Sequence, residues 1–432
     1  MIKDIKIALL GLGTIGKGFY RVMKEQRESI LNQTGVNVEI VKILEKDLDK
    51  EWPEYFDKSL FTNDWDSIVN NDEIQIIVEL IGGTTIARKF VKEALEKGKH
   101  VVTANKDMVA AHGSELFEIA DKNKLDFAFE AAVGGGIPII RPLKQCLAGN
   151  NIHEILGIIN GTTNYILTKM TQEKQTFVES LKTAQDLGYA EADPTADISG
   201  LDAARKMAIL ASLAFHTKVD LDEVYIEGIT NITSSDIEYA DEFDYIIKLI
   251  GLTKKRDTGI EVRVHPMLIP KRHPLASVDD SFNAIFIKGN PIGEAMFFGH
   301  GAGQLPTASA VVGDVIDVVR NIVHGCNGRV SNTCYLDEKI VPKEKAISKY
   351  FIRLFVENKP GVLAEIAGFF GNHNVSIASV IQKKALEKQA ELVIITDAVV
   401  EKGIFGAMEE IKKSPILKEV ASMIRVYEDG EK

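Results

Sequence analysis

Cysteine is scarce in this 432-residue chain: Cys146, Cys326 and Cys334 are the only three, and they form no CxxC pair. No disulfide framework is suggested, and a reducing, cytoplasmic setting is the expectation. Long apolar runs are missing too. None reaches the ~18 residues of a membrane span. Met1-Ile2-Lys3-Asp4 lacks a signal peptide's apolar core. Nor is there a basic cluster. Lys and Arg number 51 against 62 Asp and Glu, a net charge of −11, which argues against nucleic acid and membrane as partners. The nine histidines show no HExxH spacing, so a zinc enzyme is not expected. What is left is ordinary for a globular protein, 45% hydrophobic and 26% charged. Its length predicts about three domains.

Ile5 to Leu10 reads as a buried strand, followed at once by Gly11-Leu12-Gly13-Thr14-Ile15-Gly16 and an amphipathic stretch, Lys17 to Gln26. Strand, GxGxxG and helix stand in the order a dinucleotide-binding domain needs. Gly11 permits the tight turn, Gly13 lets a pyrophosphate approach and Gly16 lets helix and strand pack closely. The pyrophosphate then meets free N–H groups at a helix start. A second strand, Val36 to Leu44, ends at Glu45-Lys46-Asp47. An acid there favours NAD and a cation tolerates NADP. Glu45 and Lys46 point in opposite directions, so the preference stays open. Strands at Ile74 to Leu80 and His100 to Thr103 flank a helix, Ile86 to Lys97. Gly82, Thr84, Thr103 and Lys106 lie at strand ends, where parallel sheets bind ligands.

The middle of the chain changes character. Gly134-Gly135-Gly136 before Ile137-Pro138 predicts a turn whose carbonyls face an ion or ligand, or else a hinge between domains. Glu154 to Asn160 reads as a strand, Thr162 to Met170 as a helix, and Phe282 to Ile287 and Ala295 to Phe298 as further strands. Gly299-His300-Gly301-Ala302-Gly303 precedes a helix, Val311 to Val323, that returns to the nucleotide domain and brings Gly303 near the cofactor. Between these lies Gly200-Leu201-Asp202-Ala203-Ala204-Arg205-Lys206. On a helix, Asp202 and Lys206 are one turn apart on one face. With Glu191, Asp193 and Asp197 close by in sequence, they form a candidate site for polar chemistry. A surface loop with an ordinary ion pair would show the same spacing.

From Tyr350 a strand, a helix after Pro360-Gly361, two strands, a helix and a last strand give βαββαβ, the ferredoxin-like order. Together with Glu357-Asn358-Lys359-Pro360-Gly361-Val362-Leu363 it resembles an ACT domain, a module that pairs and binds amino acids at its strand-to-helix turn.

With these segments in hand, the chain resembles the homoserine dehydrogenases. The matching blocks are GLGTIG (11–16), ELIGG (79–83), GKHVVTANK (98–106), EAAVGGGIPII (130–140), GIINGTTNYILTKM (157–170), LGYAEADPTADISGLDAARK (187–206) and GHGAGQLPTASAVVGD (299–314). The implied architecture is α/β throughout. A Rossmann domain spans 1–130, an α+β catalytic and dimerisation domain 131–305, a returning helix 306–330, a linker 331–346 and an ACT domain 347–430. No kinase-like segment precedes the first domain, as in the monofunctional members.

The resemblance implies NAD(P)H-dependent reduction of L-aspartate 4-semialdehyde to L-homoserine. Lys106 and Lys206 become the functional lysines, and Asp202 lies near the reacting oxygen. Glu191 and Asp197 take the substrate's ammonium group. The cofactor meets Gly11, Gly13, Thr14, Ile15, Gly16, Lys46, Gly82, Thr84, Thr103, Lys106 and Gly303. A monovalent cation, usually sodium, is held by backbone oxygens at Glu130, Val133, Gly135 and Ile137. A homodimer or homotetramer regulated by an amino acid, with threonine as the first candidate, completes the expectation. Lys46 stands where many members carry an NADP-favouring arginine, and Glu45 before it puts that preference in doubt. Other ACT-bearing dehydrogenases lack the GYAEADP and LDAARK blocks. An aspartate-semialdehyde dehydrogenase would need a nucleophilic cysteine, and Cys146 reads as buried. A nucleotide-dependent sensor without catalysis would not need Lys106, Asp202 and Lys206.

Overall fold

The computed structural model describes residues 4–48, 50–330, 334–385 and 389–428. The start of the expected linker, 331–333, lies outside the described residues, as do 386–388 and 429–430 of the expected ACT domain. The chain forms two compact units that do not follow chain order. One comprises Met1–Ile155, Arg205–Asp222 and Phe282–Glu338; the other comprises Leu156–Ala204, Glu223–Ser281 and Lys339–Lys432. No helix among the described residues is long and apolar enough to cross a membrane.

The first unit is built on a parallel sheet. Its strands are β1 (Asp4–Leu10), β2 (Asn37–Leu44), β3 (Phe61–Thr62), β4 (Ile74–Glu79), β5 (His100–Thr103) and β6 (Phe127–Ala128). Their order is β3-β2-β1-β4-β5-β6, so the order reverses beside β1. Such a switch point is where a dinucleotide lies across an open sheet. The glycines explain the tight passage from β1 into the helix Thr14–Glu25. Gly11 sits at φ +92°, and a Cβ on Gly16 would stand 2.1 Å from the Gly11 carbonyl oxygen. The helix Gln304–His324 sets Val311, Val315, Val318 and Val319 into the same core as Ile5, Ile7, Leu9 and Phe19.

Cys146 is exposed, not buried. It ends a short π-helical turn, Pro142–Cys146, whose apolar-looking run does not continue as a buried face. All three cysteines are free.

The second unit holds the helix Gly161–Gln172, a long hairpin and the C-terminal tail. The hairpin pairs Tyr245–Arg256 with Gly259–Pro270 in antiparallel register. The tail has the expected βαββαβ order, and its four main strands run Leu417–Val426, Ile347–Glu357, Gln389–Thr396, Ile377–Ala385 across one antiparallel sheet. Its core packs Ile366, Phe370, Ile404 and Met408 on Ile352, Leu354 and Ile394. The tail is not a bead on a string. Met267 and Leu268 of the hairpin pair in parallel with Arg425 and Val426 of the last tail strand.

Buried ion pairs tie the hairpin and the tail together. Arg263 Nη1 and Arg425 Nε donate to Glu401 Oε1 at 2.6 and 2.7 Å, and Arg425 Nη2 donates to Oε2 at 3.1 Å. Glu401 is fully buried. Burial pushes its carboxyl up, but the Arg425 hydrogen bonds and the charges of Arg425 and Arg263 outweigh it and hold the group down at about 2. A second cluster joins Arg353 to Asp236 and Glu391, with Tyr239 donating to Glu391 at 2.8 Å.

Breaking one member of such a network leaves uncompensated buried charge, which costs about 3–5 kcal/mol. Glu401→Gln should therefore lower unfolding free energy by that order, read as a shifted urea midpoint at neutral pH. Because the folded carboxyl titrates below its unfolded value near 4.5, the native protein keeps this contribution above pH 4.5 and loses it as pH falls toward 2. A midpoint within experimental scatter of the parent would show that the network contributes no net stability.

Candidate active site

Within the first unit the sheet's carboxyl end is organised by one buried acid. Glu79, fully buried, accepts from the Ile81 and Gly82 N–H groups through Oε1 (2.8 and 3.0 Å) and from the Thr103 hydroxyl through Oε2 (2.6 Å). The Thr103 oxygen in turn accepts from the Asn105 N–H at 3.0 Å. Asn105 donates to the Gly83 carbonyl at 2.7 Å and caps the helix Lys106–Asn123 by accepting from the Met108 N–H. Lys106 thus opens a helix whose start is locked to the Gly82-Gly83 turn. The Thr103 side chain is buried and donates to Glu79, while its main chain ends β5 at the sheet's carboxyl edge.

Gly13 caps the helix Thr14–Glu25 with no side-chain hydrogen bond, and the space beside it is open. Gly13 and Thr14 are exposed and Ile15 is half-buried. This helix start, free of a capping side chain, fits a dinucleotide pyrophosphate. Gly303, exposed, opens the helix Gln304–His324, whose Gln304 donates to the Thr14 carbonyl at 3.1 Å. Gly82 and Thr84 lie in the turn after β4.

The helix Leu201–Ala214 carries Asp202 in its first turn and Lys206 one turn later. The residue beside Lys206 pairs with the residue beside Lys106. Arg205 Nε lies 3.2 Å from Asp107 Oδ1, which ties the lysine-bearing turns of two helices together. In the second unit, Asn160 donates from Nδ2 to Asp197 Oδ1 at 2.7 Å and to Asp202 Oδ2 at 3.0 Å. Asn160 also caps Gly161–Gln172 by accepting from the Thr163 N–H. Two carboxylates held by one amide form an acidic recess suited to a cation or ammonium group. Glu191 is exposed; its carbonyl accepts from Gln185 Nε2 at 3.2 Å.

Glu79, Asn105 and Asn160 organise the candidate site without standing out in the sequence. In sequence Asn160 reads as the end of a strand, but an asparagine before a helical run is also a cap signal.

At Glu130 both carboxylate oxygens are occupied. Oε1 accepts from the Ile140 N–H at 2.7 Å and Oε2 from the Arg141 N–H at 2.8 Å. Its own N–H donates to Asp314 at 2.8 Å. Burial pushes the Asp314 carboxyl up to about 7, against the pull of Arg141. No group of His, Cys, Asp and Glu side chains suited to a metal occurs among the described residues. Any cation here would have to be held by main-chain carbonyls, from the buried Val133, Gly135 and Ile137 and from Glu130 itself. That donor set suits a monovalent ion.

Glu45 faces the glycine turn. Its Oε2 accepts from the Leu12 N–H at 3.2 Å and its Oε1 from the Lys46 N–H at 2.9 Å, while Lys46 is exposed.

Three family models match the chain. A family model described as homoserine dehydrogenase matches residues 138–316, and one for its NAD binding domain matches 11–130. An ACT domain model matches 350–415. The chain is 40% identical over 431 residues to a homoserine dehydrogenase of Bacillus subtilis (strain 168), covering 99% of this chain and 100% of that protein. It superposes with a TM-score of 0.93 on the crystal structure of a homoserine dehydrogenase from Thiobacillus denitrificans, at 41% identity and 98% coverage of each chain. A hyperthermophilic archaeal homoserine dehydrogenase in complex with NADPH covers 73% of this chain and 97% of its own, at 26% identity and a TM-score of 0.61.

In dinucleotide-binding folds an acid at the end of the second strand faces the ribose, and Glu45 directly follows the strand Asn37–Leu44. Removing its charge should relieve repulsion of a 2′-phosphate. Like charges ~4 Å apart near a surface repel by about 1–4 kcal/mol, so Glu45→Gln should raise NADP efficiency relative to NAD by about tenfold or more. Steady-state kinetics with each nucleotide reads the ratio; an unmoved ratio would mean Glu45 does not border the ribose.

Proposed function

Because the chain belongs to the homoserine dehydrogenase family, we propose that Lys106 and Lys206 are the working groups of its reaction. It is an NAD(P)-dependent oxidoreductase that interconverts L-aspartate 4-semialdehyde and L-homoserine. The bound nicotinamide nucleotide supplies the hydride to the aldehyde carbon. As charge develops on the carbonyl oxygen, a lysine Nζ stabilises it and delivers the proton, directly or through water. The observation that carries this reading is the Asp107–Arg205 pair, which couples the two turns that bear the lysines. Glu191 and Asp197 take the substrate's ammonium group, and Asp202, held beside Asp197 by Asn160, stands near the reacting oxygen.

The nucleotide is held along Gly11 to Gly16, at Gly82, Thr84 and Lys106, by the Thr103 main chain and near Gly303. Glu45 biases the choice toward NAD against the pull of Lys46. A sodium ion at the carbonyls of Glu130, Val133, Gly135 and Ile137 braces the turn that follows β6. The cytoplasm suits three cysteines that are all free. A homodimer or homotetramer would cover the apolar side chains left exposed on the edge strand Gly293–His300, Met296 and Phe298. The tail senses an amino acid, with threonine as the proposed effector. Its carboxylate would meet the start of the helix Val362–Asn372, where Gly361 offers no capping side chain.

Lys106→Ala and Lys206→Ala should each lower turnover by roughly 10²-fold or more, with circular dichroism unchanged. Near-normal turnover in both folded variants would remove the lysines from the mechanism. For the tail, a coupling of ~1–3 kcal/mol predicts a change in activity of about 5- to 150-fold when threonine is added to the full-length enzyme. Unchanged rates together with a flat calorimetric titration would leave the tail without a threonine role.

A further inference from the structure

The stretch that joins Asp197 to Asp202 is braced from one side by a strap, Tyr225 to Ile229. The Ile229 N–H donates to the Ile198 carbonyl at 2.9 Å, and the Glu227 N–H donates to the Val264 carbonyl at 2.8 Å. Between them Gly228 lies so close that a Cβ would stand 2.2 Å from the Ile198 oxygen and 2.7 Å from Ser199 Cα. The strap and the turn between the two carboxylates therefore pack backbone against backbone.

The strap is held in turn by the tail. Arg425, 3% exposed, donates from Nη1 to Glu227 Oε2 at 2.9 Å, and the Tyr225 hydroxyl donates to the same oxygen at 3.0 Å. The guanidinium carbon lies 4.7 Å from the centre of the Tyr225 ring. Arg425 cannot swing freely, because its other nitrogens are fixed to Glu401. Its strand is also paired to the hairpin strand that contains Val264. The strap, the carboxylate turn and the tail strand all belong to one compact unit.

We propose that Glu227, held by Arg425 of the tail, is a positioning residue for Asp197 and Asp202. The tail then does more than carry an effector. It supplies the anchor that sets where the substrate's ammonium group is received, and a truncation that removes it disturbs substrate binding. A movement of the strand Leu417–Val426 would reach Asp197 through Arg425, Glu227 and the Gly228–Ile198 contact, a short run of packed groups within one unit. The proposal rests on the reading of Asp197 as the ammonium-binding carboxylate.

The test compares Glu227→Gln, Glu227→Asp and Asp197→Asn in the full-length enzyme. Glu227→Gln keeps the size of the side chain and removes the charge that Arg425 grips. It should raise KM for aspartate semialdehyde about tenfold, with KM for the nucleotide unchanged and the melting midpoint within a few degrees of the parent. Glu227→Asp, which keeps the charge, should recover part of the loss. An unchanged substrate KM in folded Glu227→Gln overturns the proposal. So does an equal rise in both KM values, which would mark general loosening. Asp197→Asn separates the two readings. If it raises substrate KM while Glu227→Gln does not, only the positioning role fails. If it leaves substrate KM unchanged, the ammonium-binding role of Asp197 fails first.

Discussion

A carboxylate taken out of water must be met by several donors or it will not stay charged. Among the buried acids whose oxygens are met by such donors are Glu79, Glu130 and Glu401, 0%, 1% and 0% exposed. Each is met differently, and each fixes a different piece of the machine. Glu79 gathers two main-chain N–H groups and a hydroxyl, and so shapes the turn beside Lys106. Glu130 gathers main-chain N–H groups that follow the triple-glycine turn. Glu401 gathers two guanidinium groups and binds the tail to the hairpin. At Glu130 and Glu401 the donors lie in other segments of the chain, and at Glu79 the Thr103 hydroxyl comes from the neighbouring strand, so each acid is fully satisfied only when those segments are assembled.

The turns that carry the two lysines are tied together through neighbouring residues. Asp107 and Arg205 stand one residue away from Lys106 and Lys206, on helices whose starts are separately fixed. That ion pair holds the backbone of both turns at the positions next to Lys106 and Lys206.

What could be read in the sequence is what close backbone packing forbids. Gly16 tolerates no Cβ against Gly11, so GLGTIG carries its meaning locally. Asp202 and Lys206 were legible because a helix sets their spacing, and the tail because its strands and helices alternate cleanly. The hairpin Tyr245–Pro270 was not. Its second strand is buried at all but its last position, including Glu261, Arg263 and His265. A polar residue inside a strand reads as a break in the apolar pattern until its partner is known, and Arg263 finds its partner at Glu401, 138 residues away. Cys146 failed for the opposite reason: an apolar-looking run turned outward on a single π-helical turn. The role of Asn160 was hidden because both acids it serves, Asp197 and Asp202, follow it by more than 30 residues.

The tail gains its leverage from where it is attached. A regulatory module hung on a flexible linker can report only by colliding with something. Here the last tail strand continues the sheet of the hairpin, and the Tyr427 N–H still donates to the Leu268 carbonyl at 2.8 Å beyond the paired residues. That pairing covers main-chain groups that an open strand edge would leave exposed. It also carries buried charge, so the tail cannot slide by a fraction of a hydrogen bond without breaking Arg425 from Glu401 or from Glu227. Motion at such a junction is restricted to discrete arrangements, and an effector acts by preferring one of them. The stiffness that stabilises the second unit therefore also links the last tail strand, through Arg425 and Glu227, to the turn between Asp197 and Asp202.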